Sequence, residues 1–148
     1  MKIYLGTDHA GYKLKNDLRE HLHHAGHDIE DVGAKTLDDD DDYPRYAYAV
    51  AAKILGGSDD DLGLLVCGSG QGMSMAANRV NGVRAALAWD VRSATAARED
   101  DNANVLVLPA RFVTDYAAVE MVDAWLTAKF KSDPKYVRRL DELEQLYG

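Results

Sequence analysis

The stretch DLGLLVCGSGQGMSMAANRV, residues 61–80, joins an apolar run to a glycine-rich turn and then to a helical pattern. After its first residue, the run 61–68 contains only apolar residues and glycine, which is typical of a strand buried on both faces of a sheet. The helical pattern of residues 71–80 begins where the glycines end. A buried strand, a tight turn and a helix in this order belong to a βαβ unit, so the stretch predicts a parallel sheet covered by helices.

The same alternation of strand and helix extends in both directions along the chain. We predict strands over residues 2–8, 27–33, 61–68, 83–89 and 104–110. We predict helices over residues 11–26, 43–57, 71–80, 91–100, 114–130 and 136–148. Repeated βαβ units imply an α/β sandwich of three layers with a five-stranded, mainly parallel sheet and an extra C-terminal helix. Because the segment 130–148 lies beyond the last strand, we expect it to pack on a partner subunit.

The composition predicts one globular domain over residues 1–148, with 47% hydrophobic and 28% charged residues. A net charge of -8 argues against nucleic-acid binding, which requires a basic face. No apolar run approaches the ~20 residues that cross a bilayer, so we expect no membrane contact. The single cysteine cannot form an intramolecular disulfide, and we expect a cytoplasmic location.

Five consecutive aspartates, Asp38 to Asp42, form the strongest acidic feature of the chain. Five adjacent carboxylates cannot all converge on one ion, and no histidine stands beside them in the sequence. We therefore expect a solvated loop at this point and no metal site.

The residues whose side chains could bind a ligand or take part in catalysis come directly after predicted strands. In an open parallel sheet, ligands collect at the carboxyl ends of strands, where loops lead into helices. The first strand ends at Asp8 and His9, the third at Cys67 and the glycines, and the fifth leads to Arg111. We therefore expect a ligand site at this edge of the sheet.

The turn GSGQG, residues 68–72, lacks the spacing of a dinucleotide fingerprint and has no Walker lysine. Its glycines would let the backbone approach a ligand closely, and its N–H groups could hold a phosphate, a carboxylate or a transient oxyanion. The same residues are equally compatible with a simple tight turn between strand and helix.

Cys67 stands directly before these N–H groups. A lone cysteine is more often a small buried hydrophobe than a reagent. Because nearby amides lower the pKa of a thiol, however, Cys67 could remove a proton from carbon or attack an electrophile. Asp8 and His9 could orient sugar hydroxyls, or they could serve only as a helix cap and an exposed loop residue.

Five motifs in combination resemble a known family: DHAGYKLK (8–15), DYPRYA (42–47), CGSGQGMSMAANRVNGVRAAL (67–87), NANVLVLPARFV (102–113) and VDAWL (122–126). From residue 2 to about 130, the chain is similar to the type B ribose-5-phosphate isomerases, a family that includes the galactose-6-phosphate isomerase subunits. The resemblance implies a Rossmann-like fold, a homodimer or tetramer with active sites between subunits, and no metal or organic cofactor.

The resemblance also implies an aldose–ketose isomerisation through a cis-enediolate, first of all between ribose 5-phosphate and ribulose 5-phosphate in the pentose phosphate pathway. Cys67 matches the base of a cysteine-using branch, whereas another branch has a glutamate where this chain has Met73. Ser69 matches a hydroxyl that assists ring opening, and the backbone of Gly68 to Gly72 matches an oxyanion hole. The matched substrate-binding positions are Asp8, His9, Tyr43, Gly68, Gly70, Gln71, Gly72, Asn78, Asp101 and Arg111.

The chain departs from the family pattern at two places. Asp100 replaces a histidine that assists ring opening from the partner subunit. An aspartate could act as a proton relay there, although it is a weaker acid catalyst at neutral pH, or the substrate could already be open-chain. In the tail, Pro134 stands at the position of a first arginine, Arg138 matches a later one, and Lys135 could compensate for the loss.

Other functions remain open from the sequence. The substrate could be a tetrose phosphate, a hexose 6-phosphate or an unphosphorylated aldose. A non-catalytic sugar-phosphate-binding module is a second class, although Cys67, Ser69, Asp8 and His9 together argue against it. A thiol-redox enzyme is a third class, and it would need a CxxC pair that this chain lacks.

Overall fold

The computed structural model describes residues 1–146. Its strands are β1 (Ile3–Thr7), β2 (Ile29–Asp31), β3 (Leu62–Cys67), β4 (Ala85–Leu87) and β5 (Val105–Pro109). After a short 3₁₀ turn at His9–Gly11, its helices are α1 (Tyr12–His24), α2 (Tyr43–Gly56), α3 (Gln71–Ala77), α4 (Val91–Glu99), α5 (Asp115–Thr127) and α6 (Pro134–Gln145). The last two residues of the helix predicted over 136–148 lie outside the described residues.

All five strands run parallel, in the order β2-β1-β3-β5-β4. The chain leaves β1 towards one edge of the sheet and leaves β3 towards the other. The gap between β1 and β3 is therefore the switch point of the sheet, where ligands bind in folds of this kind. This topology confirms the Rossmann-like α/β prediction.

Two hydrophobic cores cover the two faces of the sheet and complete the three layers. One core packs β-strand residues such as Leu64 and Val66 against α1, α4 and α5. The other packs Leu65 and Cys67 against α2 and α3. Because side chains alternate along a strand, Cys67 faces the α2–α3 layer.

The elements at the edges of the sheet are shorter than predicted. β2 and β4 contain three residues each, against seven predicted for 27–33 and for 83–89. Each of these strands has one neighbour in the sheet, so fewer of their residues find ladder partners. The predicted helix over 71–80 ends at Ala77, while the last helix starts earlier than predicted, at Pro134, a residue favoured in a first helical turn.

The C-terminal helix α6 is amphipathic but has no buried residue along Pro134–Gln145. Val137 and Leu143 are 39% and 40% exposed. The expectation that this segment packs on a partner subunit stays a prediction. None of the helices among residues 1–146 combines the length and the apolar character needed to span a membrane.

Candidate active site

The site is centred on the neighbouring ends of β1 and β3. Thr7 pairs with Val66 in the sheet, so the residues that follow them, Asp8 and Cys67, come side by side. The Cys67 thiol donates to Oδ2 of Asp8 over 3.8 Å. The side chain of Asp8 also accepts the N–H of Ala10, which caps the 3₁₀ turn. Asp8 therefore both caps the turn and contacts the thiol.

The environment of Cys67 raises the pKa of its thiol above the usual range. Burial is the largest cause and the charge of Asp8 is the second. The backbone N–H groups of Gly68, Gly70 and Met73 act in the opposite direction without outweighing them. The prediction that amides would leave this thiol with a lowered pKa is therefore wrong, because burial and a carboxylate dominate.

The acidic stretch 38–42 is only partly the solvated loop that we predicted. Asp41 turns inward, is 7% exposed, and accepts both Nδ1 of His9 at 2.8 Å and the backbone N–H of His9 at 3.0 Å. Burial disfavours the ionised Asp41, but these hydrogen bonds hold the pKa of its carboxyl below the usual range. The Asp41 hydrogen bond in turn raises the pKa of His9. The loop is thus the support of the site histidine.

One group of three side chains in the described part of the chain is close enough to share a cation. The ligand atoms of Asp8, His9 and Asp41 lie within 4.8 Å of one another. Within this group, Asp41 holds His9 by two hydrogen bonds, and Asp8 adds a negative charge beside the imidazole.

The glycine turn is in contact with two predicted site residues. A Cβ added at Gly72 would lie 2.5 Å from Cζ of Tyr43, so the tyrosine ring packs directly against this glycine. A Cβ at Gly68 would lie 2.8 Å from Cζ of Arg111, whose backbone N–H also donates to the Gly68 carbonyl at 2.9 Å. Gly70 adopts a φ of 76°, which favours glycine. The turn is thus walled by a phenol and a guanidinium.

Ser69 and Gln71 are the two residues of the turn that are not glycines. The hydroxyl of Ser69 accepts the backbone N–H of Gln71 at 3.3 Å. The Gln71 side chain is exposed at the start of α3. Both therefore lie at the carboxyl edge of the sheet, as predicted.

Asn78 has a structural environment. Its side-chain amide donates to the carbonyls of Ser74 and Ala85, and its Oδ1 accepts the backbone N–H of Ala85 at 2.8 Å. These bonds tie the end of α3 to β4, and the substrate-binding role of Asn78 stays a prediction.

The remaining predicted residues lie near the amino ends of the strands, opposite the carboxyl ends that carry Cys67. Asp100 and Asp101 precede β5, whose first residue Val105 pairs with Gly63 at the start of β3, whereas Cys67 pairs with Pro109 at the end. Four residues of strand separate the two levels by ~13 Å. Within one chain, Asp100 is therefore not brought to Cys67.

Lys135 and Arg138 belong to the same distant region, on α6. Lys135 lies over the Tyr136 ring, with 4.9 Å between Nζ and the ring centroid. Arg139, one residue beyond the predicted Arg138, also lies over this ring, with 5.7 Å between Cζ and the ring centroid. Burial and the charge of Asp100 raise the pKa of Asp101, and the charge of Arg139 opposes this rise without cancelling it.

Three residues that interact with predicted site residues were not predicted from the sequence: Asp41, Lys131 and Arg139. Asp41 is separated from His9 by 32 positions, and Lys131 binds Asp100 from 31 positions away. A buried carboxylate inside an acidic run leaves no sequence signal. The spacing of four between Lys135 and Arg139 is a signal that could have been read, because it places both on one helix face.

The fold and the site together define a class of protein. It is an α/β protein in which a thiol, a carboxylate and a glycine-rich turn lie at the switch point of the sheet. A family model described as Ribose/Galactose Isomerase matches residues 3–143. The chain belongs to this family of isomerases.

Individual relatives agree with the family match. A probable ribose-5-phosphate isomerase B of Mycoplasma genitalium is 45% identical over 141 residues, which cover 95% of this chain and 92% of the relative. A ribose-5-phosphate isomerase B of Mycobacterium tuberculosis is 42% identical, with coverage of 98% and 89%.

Solved structures give the same result. The Mycoplasma genitalium ribose-5-phosphate isomerase B with bound ribulose-5-phosphate superposes with a TM-score of 0.95 at 43% identity, over 99% of this chain and 95% of that one. The enzyme of Thermotoga maritima gives a TM-score of 0.92 at 39% identity, over 97% of each chain.

Proposed function

We propose that the protein interconverts ribose 5-phosphate and ribulose 5-phosphate, with Cys67 as the base that moves a proton between C2 and C1. One observation carries the proposal: the buried Cys67 thiol lies between the Asp8 carboxylate and the N–H groups of the glycine turn. A thiol in this place has an acceptor for its own proton and donors for an adjacent oxyanion. Family membership supports the same reaction class.

The raised pKa of Cys67 determines the order of the proton transfers. Because the thiol is the dominant form at neutral pH, the reaction begins when the Sγ proton passes to Oδ2 of Asp8, 3.8 Å away. The thiolate then removes the C2 proton of the aldose, and the proton of the C2 hydroxyl passes to O1 within the cis-enediolate. Sγ returns the carbon proton at C1, which leaves the ketose carbonyl at C2. The carbonyl oxygen carries the negative charge in between, where the backbone N–H groups of Gly68 to Gly72 stabilise it.

Substrate hydroxyls and ring opening belong to the residues around the turn. Ser69 assists ring opening, and His9, held by Asp41, binds a sugar hydroxyl. Tyr43 and Gly72 shape one wall of the cradle. Gln71 and Asn78 complete the proposed substrate contacts.

A second chain completes the site. Asp100, Asp101, Lys135 and Arg138 lie at the edge of the sheet away from Cys67, so we assign them to the site of a partner in a homodimer or tetramer. Arg111 supplies a cation beside Gly68 in the same chain as Cys67. Together with the partner's tail cations, it would bind the phosphate. No metal or organic cofactor enters the proposal, and we place the enzyme in the cytoplasm, in the pentose phosphate pathway.

Turnover of a substrate panel tests this proposal. We would compare ribose 5-phosphate with a tetrose phosphate, a hexose 6-phosphate and free ribose, for the wild type and for Arg111→Met. We expect the highest kcat/KM with ribose 5-phosphate, and an Arg111→Met loss of at least tenfold that is confined to phosphorylated sugars. Preference for another sugar would reassign the substrate. Saturable binding of ribose 5-phosphate without any turnover would instead favour the non-catalytic binding module.

A further inference from the structure

Six charged side chains lie together where the end of α4 meets the segment around Tyr136 at the start of α6. Lys131, Lys135 and Arg139 lie over this ring, with distances to its centroid of 5.8, 4.9 and 5.7 Å. The carboxylates of the group follow directly on one another at the end of α4. We call this group the Tyr136 cluster, and its charged members are Glu99, Asp100, Asp101, Lys131, Lys135 and Arg139.

Lys131 is the member that connects the two halves of the Tyr136 cluster. Its Nζ lies 2.9 Å from Oε2 of Glu99 and 3.1 Å from Oδ1 of Asp100. Its backbone N–H donates to the Glu99 carbonyl at 2.8 Å. These contacts fix the segment between α5 and α6 against the end of α4. Glu99 and Asp100 also hold the pKa of Lys131 well above its usual range, so Lys131 stays charged.

The charges of the Tyr136 cluster balance. It contains three carboxylates and three cations, so its formal charge is zero with Lys131 in place and one negative charge without it. The family resemblance places Asp100 at the position of a ring-opening histidine, and a carboxylate at that position would repel a phosphorylated sugar. Lys131 is the cation that touches this carboxylate.

We propose that Lys131 is a positioning residue of the isomerase, which cancels the charge of Glu99 and Asp100 so that a phosphorylated sugar can be bound next to Asp100. The inference rests on the proposed function, because it requires the Tyr136 cluster to face the substrate of a partner subunit. It assigns Lys131 no contact with the reacting atoms. The role is electrostatic, and it is expressed in substrate binding.

A purely structural role of Lys131 predicts a different result. The side chains of Lys131 and Asp100 are 44% and 37% exposed, and ion pairs of this kind contribute little to folding stability. Replacing Lys131 should therefore leave the melting temperature nearly unchanged. An effect on substrate binding would then come from charge.

Steady-state kinetics with ribose 5-phosphate test the inference. We expect Lys131→Met to raise KM about five- to tenfold, the effect of one unbalanced charge a few ångströms from an anion near a protein surface, with kcat changed less than about twofold. Added KCl should reduce the difference from wild type, because salt screens exposed charges. Lys131→Arg should keep the wild-type KM. Glu99→Gln in the Lys131→Met background restores the formal charge to zero and should bring KM most of the way back.

Lys53→Met is the matched control. Lys53 is 48% exposed, pairs with Glu30 at 2.7 Å and lies 5.9 Å from the centroid of the Tyr4 ring, but it belongs to α2. We expect this variant to keep the wild-type KM.

An unchanged KM in Lys131→Met, with the wild type active, would overturn the inference and leave the proposed function standing. A raised KM that Glu99→Gln does not lower would also overturn it, because charge would not be the cause. A wild type without turnover of ribose 5-phosphate would overturn the proposed function itself.

Discussion

The Cys67 thiol lies between a buried carboxylate and three backbone N–H groups, and these neighbours act on it in opposite directions. Burial and Asp8 raise the thiol pKa, while the N–H groups of Gly68, Gly70 and Met73 lower it. A base that is protonated at rest needs an acceptor for its own proton. Asp8 is in place for that task.

Asp8→Asn should shift the titration of Cys67 to lower pH. The substitution removes the negative charge that disfavours the thiolate, so the thiolate forms more readily. The pH dependence of Cys67 alkylation by iodoacetamide measures this shift. Asp40→Asn, at an exposed position of the acidic stretch, should leave the titration unchanged. A shift to higher pH in Asp8→Asn would contradict the assigned cause.

Asp41→Asn should lower the pKa of His9 towards its ordinary value of 6.5. The Asp41 hydrogen bond raises the His9 pKa, so the stabilisation from the charged pair is present below the ordinary His pKa and is lost as the pH rises through the raised one. Because the Asp41 pKa is lowered, the pair is also lost when acid protonates Asp41. NMR titration of the His9 imidazole measures the change.

Asp42→Asn is the control for Asp41→Asn, since Asp42 is exposed and its side chain makes no capping hydrogen bond. It should leave the His9 titration in place. Equal shifts in both variants would mean that His9 senses the charge of the whole loop and not its bond to Asp41.

The unit β3–turn–α3 could be predicted from the sequence because its signals are local. An apolar run and a glycine turn specify buried strand and tight bend without reference to the remainder of the chain. The pair His9–Asp41 and the pair Asp100–Lys131 could not be predicted, because each depends on how distant segments meet. Short edge strands were overestimated for a similar reason, since the number of neighbours in the sheet is a property of the topology.

Asn78→Ala should destabilise the connection between α3 and β4. The substitution removes the amide that bonds the Ser74 carbonyl and both backbone groups of Ala85, and we expect a loss of about 1–3 kcal/mol in the free energy of unfolding. Urea denaturation measures this loss. The exposed Asn81→Ala is the control. Unchanged stability with a raised KM would show that Asn78 acts chiefly on substrate.

For the whole molecule, the roles proposed for Asp100 and the α6 cations require a second chain, because these residues lie away from Cys67 in their own chain. α6 carries exposed apolar residues and cations together, as a helix at an interface would. The proposed assembly therefore joins two functions, because the partner would cover apolar surface and supply polar groups. The relative orientation of the two chains depends on how both contacting surfaces fit together. This orientation could not be predicted from the sequence of one chain.

Mixed dimers test the two-chain site. Cys67→Ala and the double variant Lys135→Met/Arg138→Met should each lose most activity, yet co-expression should restore about one quarter of the wild-type sites by random pairing. Turnover of ribose 5-phosphate by the co-purified mixture measures this recovery. Cys67→Ala mixed with Arg111→Met should recover nothing, because both residues belong to the same half of the site. Equal recovery in the two mixtures would contradict the assignment.

The most direct test of Cys67 as the base is deuterium incorporation from D₂O into ribose 5-phosphate, followed by proton NMR at C2 of the aldose and C1 of the ketose. We predict exchange at both carbons in the wild type, and a loss of at least about 10³-fold in Cys67→Ala with ribose 5-phosphate still bound. Wild-type exchange that persists in Cys67→Ala would show that another group moves the proton, and the account of this site would then be wrong.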